Sequence, residues 1–273
     1  MDLSILTRRI SNCGLFLYTY YARGDNALIN DIILYEELSM NAHPALKTQL
    51  FDGWILRFSD GYTNRANSVN PLYKSAIPIE EKISLCEEIY TSQNLPTTYK
   101  LTPLSFELLD MILDAKGYEK ITPTNVMTKT LPAPDALESK AVISDKINEE
   151  WQENYFKLNR ILDDSKIKTA KIIQGHILNK TLCASIVEQD ETVACGLCVI
   201  ERGYVGLFDI IVDSNHRGKG FGFDICNSLL NSAAKMGAKS AYLQVVADNI
   251  PAIALYRKLG FIDLYQYWYR VKK

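Results

Sequence analysis

Two segments far apart in the sequence share one pattern, in which a helical stretch stops at a glycine and an aromatic residue follows. They are residues 111–118, Met-Ile-Leu-Asp-Ala-Lys-Gly-Tyr, and residues 254–261, Ala-Leu-Tyr-Arg-Lys-Leu-Gly-Phe. Glycine just past the last helical turn is a common helix stop, and a β-rich stretch follows each copy. The pattern indicates a diverged internal duplication, so we expect two similar halves that each mix helices with strands.

Length and composition fit a two-part globular protein. The chain has 273 residues, of which 47% are hydrophobic and 23% are charged. This composition excludes a disordered polyelectrolyte, a collagen-like repeat and a polytopic membrane protein. Thirty basic and 32 acidic residues give a net charge of −2, so no overall basic field attracts nucleic acid. Six scattered cysteines are typical of reduced thiols and predict a cytoplasmic protein.

Residues 1–26 are predicted to form a loosely attached N-terminal extension. Arg8 and Arg9 precede a partly apolar stretch from Ile10 to Ala22, which superficially resembles a secretory signal. Polar residues interrupt the stretch, and Tyr20 stands where a cleavage site needs a small residue. The stretch is also shorter than the ~20 apolar residues that span a bilayer. We therefore expect neither secretion nor a membrane partner.

A segment with little to pack into a core separates the two halves. Residues 133–140 are predicted to be a linker between a first domain, residues 27–132, and a second domain, residues 141–273. From Glu149 onward, the apolar periodicity predicts two helices, three strands and then an alternation of helix and strand.

The first domain is predicted to contain a β-hairpin followed by a helix and a strand. The stretches from Phe51 to Phe58 and from Tyr62 to Val69 flank residues 59–61, Ser-Asp-Gly, which suit a hairpin connection. Apolar residues from Ile79 to Ile89 repeat at helical spacing, and Thr97 to Leu101 is typical of a short strand.

A glycine-rich connection lies between an apolar strand and an amphipathic helix in the second half. Arg217, Gly220 and Gly222 have the spacing Arg-x-x-Gly-x-Gly. Glycines let backbone N–H groups turn toward a ligand, and the following helix adds its positive end, so the pattern favours a site for phosphate oxygens. It lacks the ending of a P-loop and the spacing of a dinucleotide fingerprint. A purely structural turn is the alternative interpretation.

The residues that follow this connection form a more specific signature. They read Asn-x-x-Ala-x-x-Leu-Tyr-x-x-x-Gly-Phe, with the named residues at Asn249, Ala252, Leu255, Tyr256, Gly260 and Phe261. Together with the glycine-rich connection, this closely resembles the signature of the GNAT superfamily of acyl-CoA-dependent N-acyltransferases. The resemblance covers residues 182–271 and, more weakly, the helices from Glu149. The first half resembles a degenerate GNAT-like domain without the loop signature, as in tandem members of the superfamily.

The resemblance implies a mixed α/β fold of two GNAT-like domains, each a twisted, mostly antiparallel mixed sheet flanked by helices. It also implies acetyl-CoA as the co-substrate. Backbone groups of three strand residues would hold the thioester and the pantetheine: Ile210, Ile211 and Val212. Five loop amides would hold the pyrophosphate: Gly218, Lys219, Gly220, Phe221 and Gly222. Arg217 and Asn249, as members of the signature, are assigned to the coenzyme site.

In the implied mechanism an acceptor amine attacks the thioester directly, and Tyr256 protonates the departing thiolate. The alternative for Tyr256 is a core role, as for other members of the chain's 16 tyrosines. The residues do not reveal the general base. Asp209, on the strand beside the expected acyl site, is the candidate, with an exposed strand carboxylate as the alternative. His216 is interpreted as a solvated loop residue.

No metal is expected, and the acceptor is expected to meet the first half. Cys195 and Cys198 form a Cys-x-x-Cys pair, but no second pair follows at zinc-like spacing and a strand would point them to opposite faces. In tandem members the non-catalytic copy often closes part of the acceptor cleft. By that resemblance Arg65 and Asn67 are candidate contacts to an acceptor carboxylate, with a role at the domain interface as the alternative.

The leading functional hypothesis is an N-acetyltransferase for a primary amine of a small-molecule or amino-acid-like acceptor, acting as a monomer or homodimer. One alternative is a non-catalytic module that binds or senses acyl-CoA, against which the presence of Tyr256 argues. Another is a transferase that uses a longer acyl-CoA. A nucleic-acid-binding protein is disfavoured, because basic residues are spread along the chain and balanced by carboxylates.

Overall fold

The computed structural model describes residues 26–105, 107–134 and 140–272, and these ranges contain seven α-helices and eleven β-strands. In chain order they are α1 (Asn26–Ala42), β1 (Lys47–Phe51), β2 (Trp54–Phe58), β3 (Val69–Pro71), α2 (Ile79–Ser92), β4 (Thr97–Leu101), α3 (Glu107–Ala115), β5 (Glu119–Thr130), β6 (Val142–Ser144), α4 (Glu149–Leu158), α5 (Asp164–Gly175), β7 (Lys180–Glu188), β8 (Glu191–Glu201), β9 (Tyr204–Val212), α6 (Phe221–Lys235), β10 (Ser240–Val246), α7 (Ile250–Lys258) and β11 (Ile262–Lys272). The predicted N-terminal extension up to residue 25 and residues 135–139 of the predicted linker lie outside the described residues.

All eleven strands belong to one sheet, with the order β1-β2-β3-β4-β11-β5-β10-β9-β8-β7-β6. The β3–β4 and β9–β10 pairs are parallel, and the other neighbours are antiparallel. Helices cover both faces. This confirms the predicted mixed α/β fold with mostly antiparallel pairing, and it adds that the two half-sheets are continuous.

The final strand of each half lies inside the sheet of the other half. β11 pairs with β4 along one edge, from Trp268↔Leu101 to Lys272↔Thr97, and with β5 along the other edge. β5 in turn pairs with β10 along the whole length of β10, from Ser240↔Thr130 to Val246↔Thr124. Each half therefore completes the sheet of the other half by exchanging its last strand.

Three apolar clusters pack against this sheet. Alternate residues of β9 and β10 point to opposite faces. One face is covered by α6 and α7, and the other by α4 and α5 together with α1. A third cluster joins β2, β3 and β4 to α2 and α3. Because α1 comes from the first half but packs on strands of the second, it ties the halves together.

A buried polar network also joins the halves. Lys100 Nζ on β4 lies 2.5 Å from Glu36 Oε2 on α1, and the Tyr265 hydroxyl on β11 donates to Glu36 Oε1 at 2.8 Å. The Lys100 ammonium also stands 3.9 Å from the centre of the Tyr267 ring. Since removing one partner would leave a buried charge unpaired, any rearrangement of the halves is costly.

The hairpin predicted around residues 59–61 is wrong. The chain turns from β1 into β2 at Asp52 and Gly53, whose φ values are 43° and 78°. A two-residue type I′ turn requires positive φ at both positions, and Asp-Gly is among its preferred sequences. The stretch from Phe51 to Phe58 therefore contains the turn. Residues 59–68, with a short 3₁₀ turn at Asn64–Ala66, form a connection to β3 that is called the 59–68 loop below.

Helix α1 was not predicted from the sequence. Four consecutive residues, Ile32 to Tyr35, are all apolar or aromatic, and this run hides the helical period. Within the described ranges, no helix is both long enough and apolar enough to cross a membrane.

Candidate active site

Strand β9 separates from β10 halfway along its length. The two strands pair only from Tyr204↔Ser240 to Leu207↔Leu243, although β9 continues to Val212. Beyond that point β10 stays paired with β5 on its other side. The edge of residues 208–212 that faces β10 is therefore not used by the sheet, and an extended ligand can pair with such an edge. Three residues predicted to hold the thioester and pantetheine lie on it: Ile210, Ile211 and Val212.

A β-bulge marks the start of this free edge. The register between β8 and β9 shifts between the pairs Leu197↔Phe208 and Cys195↔Ile211, so Asp209 and the residue after it oppose a single residue of β8. Asp209 has a φ of 53°, in the left-handed region that few non-glycine residues adopt. Bulges redirect side chains and are common beside active sites.

The glycine-rich connection between β9 and α6, residues 213–220, is the predicted phosphate site and is called the phosphate loop below. Gly218 and Gly220 have φ values of 78° and 90°, and a Cβ atom on either would meet nothing within 4 Å. Across the described part of the chain, the amides of Gly218, Lys219 and Gly220 donate no hydrogen bond to the protein. They therefore lie free beside the N-terminus of α6, as an anion site requires. Arg217 is exposed, and its Nε donates to the Val212 carbonyl at 3.4 Å.

The other residues assigned to the coenzyme have packing or capping contacts. Phe221 is buried, and a Cβ on Gly222 would lie 3.2 Å from Leu255, so α6 and α7 approach closely here. Asn249 caps α7, because its Oδ1 accepts a hydrogen bond from the Ala252 amide at 3.3 Å. Asn249 thereby helps to start the helix that carries Tyr256.

Tyr256 is buried on α7, with its ring centre 6.1 Å from that of Phe261. Burial, and to a smaller extent the nearby Cys226, raises the pKa of the Tyr256 hydroxyl well above the ordinary 10.0. Among the described residues, none forms a hydrogen bond with this hydroxyl. The group is therefore protonated at neutral pH and its proton is not committed to the protein.

Asp209 lies on the opposite face of the sheet from Tyr256. Its Oδ1 accepts a hydrogen bond from the Tyr155 hydroxyl at 3.2 Å, and that hydroxyl accepts one from Asn159 Nδ2 at 3.2 Å. Burial raises the pKa of the Asp209 carboxyl above its ordinary 3.8, although the positive charge of Arg65 opposes the shift. A carboxyl with a raised pKa is a better proton acceptor near neutral pH.

Arg65 reaches the same region from the first half. It belongs to the 3₁₀ turn of the 59–68 loop and is half-buried. Burial disfavours its charge, but Tyr267 and Tyr269 of β11 and Asp209 of β9 favour it, so the pKa of Arg65 is raised. The structure thus brings Arg65 and Asp209, which are 144 positions apart in the sequence, to one side of the sheet.

Asn67 fixes the 59–68 loop. Its Oδ1 accepts hydrogen bonds from the amides of Ser59 and Gly61, at 2.6 and 3.1 Å, and its Nδ2 donates to the Thr63 carbonyl at 2.8 Å. Asn67 is buried, and its amide is occupied by these contacts. Of the two candidate acceptor contacts in the first half, Asn67 therefore supports the loop and Arg65 faces the second half.

Further side chains lie beside Asp209 that the sequence did not assign to the site. Asp209, His43, Tyr62 and Gln174 line a narrow cavity of about 20 Å³, which has room for one water molecule. Burial lowers the pKa of His43 well below 6.5, so this imidazole is neutral at pH 7. Tyr62 stands out in the sequence as an aromatic residue in a polar loop. The other two, and Tyr155, come from three separate helices or their ends, and no local pattern connects them.

Among the described residues, no group of three His, Cys, Asp or Glu side chains could hold a metal ion. His216 is paired near the loop with Asp213, with 3.0 Å between Nδ1 and Oδ1. Cys195 and Cys198 are buried free thiols, and burial raises the pKa of Cys195 to about 12. Both thiols therefore belong to the core.

Residues 30–270 match a family described as "Probable histone acetyltransferase Rv0428c C-terminal". The "Uncharacterized N-acetyltransferase YobR" of Bacillus subtilis (strain 168) is 28% identical over 254 residues, which are 90% of this chain and 100% of that protein. The ribosomal protein bS18-alanine N-acetyltransferase of Escherichia coli (strain K12) is 40% identical over 55 residues, which are 20% of this chain and 37% of that protein.

Solved structures show the same fold. A GCN5-related N-acetyltransferase from Kribbella flavida has a TM-score of 0.64 at 12% identity, covering 88% of this chain and 95% of that one. A tandem GNAT protein from the clavulanic acid biosynthesis pathway has a TM-score of 0.62 at 12% identity, covering 87% and 86%.

The fold and the sequence relatives together define an acyltransferase with N-acetyltransferase activity of the GNAT type. The chain belongs to the GNAT superfamily and, within it, to the Rv0428c-type acetyltransferase family that matches residues 30–270.

Proposed function

We propose that the chain transfers the acetyl group of acetyl-CoA to the primary amine of a small acceptor, with Asp209 as the general base and Tyr256 as the general acid. The free edge of β9 carries this proposal. It begins at the bulged Asp209, continues through residues 210–212 and leads into the phosphate loop. One continuous surface thus offers features for the thioester, the pantetheine and the pyrophosphate.

Acetyl-CoA lies extended along this surface. Its pyrophosphate accepts hydrogen bonds from the amides of residues 218–222 and is stabilised by the dipole of α6. The pantetheine pairs with the unused edge of residues 210–212, as an added strand would. The thioester then lies at the gap between β9 and β10, between the face that carries Asp209 and the face that carries Tyr256.

The reaction is a direct transfer in which the acceptor ammonium loses two protons. Asp209 removes the first proton, directly or through a water in the adjoining cavity, and passes it to solvent. The free amine attacks the thioester carbonyl carbon. A C–N bond forms, the C–S bond breaks, and the leaving thiolate takes the Tyr256 hydroxyl proton. The second proton from the nitrogen restores the Tyr256 hydroxyl, so the products are an amide and the free thiol of coenzyme A.

The first half closes the acceptor side of this site. Tyr62 and Arg65 on the 59–68 loop both interact electrostatically with Asp209. A cleft closed by a second half-sheet fits a small molecule better than the surface of a folded protein. All the groups proposed here come from one chain, so a monomer is sufficient. The five described cysteines are free, in keeping with a cytoplasmic enzyme.

The test is a coenzyme A release assay with the full chain, acetyl-CoA and a panel of primary amines and amino acids. We expect thiol release that depends on the acceptor and exceeds the hydrolysis measured without it. Parallel reactions with octanoyl-CoA test the alternative of a longer acyl group. Acetyl-CoA binding by calorimetry without transfer to any acceptor would contradict the proposal and favour a non-catalytic acyl-CoA-binding module.

A further inference from the structure

Two arginines of the first half lie close together but differ in their partners. Arg57 is buried, and its guanidinium donates to three backbone carbonyls: Arg65 at 2.7 Å, Met40 at 3.4 Å, and His43. These contacts explain why Arg57 is in the interior, because each buried N–H group needs an acceptor. They also fix the backbone at Arg65.

Among the residues that the structure describes, the Arg65 guanidinium has no such partners. In the described ranges no hydrogen bond and no ion pair involves its side chain, although it carries five N–H donors and is half-buried. The carboxylate of Asp209 is near enough for the two charges to interact, yet the pair does not close to the 4.0 Å of an ion pair. Donors left open on a half-buried cationic side chain favour an anionic ligand.

The loop that presents Arg65 is held in advance. Arg57 holds the Arg65 carbonyl, and Asn67 ties the loop through the amides of Ser59 and Gly61 and the Thr63 carbonyl. A ligand therefore does not have to order the backbone that carries Arg65. Such preorganisation raises affinity and specificity.

We infer that Arg65 binds the carboxylate of the acceptor, and that the acceptor is therefore an amino acid. The inference rests on the proposed function and assigns its substrate class. The guanidinium is planar and its paired N–H groups match the two oxygens of a carboxylate. An amino acid places an ammonium and a carboxylate a few atoms apart, so one group meets Asp209 while the other meets Arg65.

The experiment compares three forms of one acceptor with the full chain: the amino acid, its carboxamide and the amine without the carboxyl carbon. The best amino acid from the standard twenty is chosen first. We expect kcat/KM for the amino acid to exceed that of the other two forms by about 10²-fold or more, because charged donors left unpaired reject a ligand strongly. Phosphoethanolamine and a tripeptide are included, and preference for either one overturns the inference.

Three variants show whether Arg65 causes this preference. Arg65→Gln is expected to abolish the preference mainly through a higher KM for the amino acid, with the KM for acetyl-CoA unchanged. Arg65→Lys should recover part of the preference, since it keeps the charge but loses the paired geometry. Lys47→Gln, an exposed substitution on β1, is the control and should retain it. The ratio of kcat/KM values between acceptors is measured within each folded variant, so a general loss of stability does not change it.

The two proposals fail differently. If the wild-type chain transfers acetyl groups equally well to the amino acid and to its decarboxylated amine, the carboxylate site is overturned and the acetyltransferase proposal stands. The same conclusion follows if Arg65→Gln keeps the full preference. If the wild-type chain binds acetyl-CoA but acetylates none of the panel, the proposed function itself fails, and this inference fails with it.

Discussion

Tyr256 combines a buried ring with a hydroxyl that forms no hydrogen bond among the described residues. Tyr256→Phe therefore removes no hydrogen bond within the described part of the chain, and we expect the melting temperature to stay nearly constant. We expect kcat to fall by about 10- to 10³-fold, below the upper range for general acids because a thiolate is a good leaving group. Affinity for acetyl-CoA should be unchanged. Steady-state kinetics and thermal melts of the same preparation test this.

Tyr118→Phe is the matched control for that substitution. Tyr118 is also buried, but its hydroxyl donates to Glu87 at 2.8 Å in the first half. Loss of this hydrogen bond should lower the free energy of unfolding by about 1 kcal/mol and leave kcat unchanged. The role of Tyr256 as general acid would be contradicted if Tyr256→Phe and wild type had equal kcat values. It would also be contradicted if kcat fell only in parallel with stability.

Asp209→Asn should change activity and stability in opposite directions. As the proposed base, Asp209 must be ionised, so we expect kcat/KM to fall by about 10² to 10⁴-fold in the variant. Burial raises the pKa of the folded-state carboxyl, so this group stabilises the fold below its ordinary pKa of 3.8 and loses that contribution as pH rises through the raised value. Asparagine does not ionise. The variant should therefore melt above wild type at pH 8.

The pH dependence of this difference is the decisive measurement. The gap between the two melting temperatures should narrow as pH falls toward 4, because wild-type Asp209 then becomes neutral as well. A variant that melts below wild type by the same amount at every pH would mean that Asp209 has a structural role, as the hydrogen-bond acceptor of Tyr155.

From the sequence, only those parts of the candidate site that one short segment specifies can be predicted. Tyr256 and the loop glycines lie in a local signature that fixes their places relative to α6 and α7. Tyr155 could not be found in this way, because it lies in a helix whose aromatic residues all satisfy an apolar pattern. Its hydrogen bond to Asp209 depends on how α4 packs on β9.

At the scale of elements, the phosphate loop differs from an ordinary turn only if its glycines serve a ligand. Gly220 and Gly117 offer a matched comparison, since both have positive φ and open space at Cβ, but Gly117 ends a helix in the first half. A valine at either position should cost about 1–2 kcal/mol of backbone strain. Only Gly220→Val should also weaken coenzyme A binding, by about tenfold or more, or 1.4 kcal/mol.

Calorimetry with coenzyme A on both variants measures the difference. Similar affinities in Gly220→Val and Gly117→Val would identify the loop as a structural turn. A weaker affinity in both variants would indicate that strain in either half disturbs the site through the shared sheet.

Most elements followed from periodicity, but helix α1, the turn between β1 and β2 and the bulge at Asp209 did not. The turn at Asp52 and Gly53 was missed because the apolar residues on its two sides read as one strand. The bulge at Asp209 has no local signal, because a non-glycine residue with positive φ gives no sign of it in the sequence. Both depend on how two strands are paired, and a single strand does not specify its partner.

At the scale of the molecule, the exchanged strands should make unfolding cooperative across both halves. The chain has three tryptophans, of which Trp54 reports on β2 and Trp151 on α4. Two double variants each keep a single tryptophan. Trp151→Phe with Trp268→Phe keeps Trp54, and Trp54→Phe with Trp268→Phe keeps Trp151. In each, we expect the fluorescence and circular dichroism transitions to coincide.

Separate transitions would show that the halves unfold independently. A first half that loses its fluorescence signal while the helices of the second half remain would contradict a role for β11 in holding β4. Denaturant titrations are preferred to heating, because they report equilibrium midpoints.

The duplication inferred from the sequence predicts two similar halves, but it does not predict how they share strands. β5 and β11 each follow a helix that stops at a glycine, so each could complete its own half or the other one with the same local pattern. The choice is decided by long-range contacts, including the buried Glu36–Lys100 pair and Tyr265.

The exchange of final strands also determines when the chain can fold during its synthesis on the ribosome. While the chain is being synthesised, β4 lacks its β11 neighbour until residues 262–272 have emerged, and β5 waits for β10 on one edge and β11 on the other. Nascent first halves therefore carry open strand edges for most of translation, and such edges invite pairing with other chains. Neither half of this molecule reaches its final form before the other.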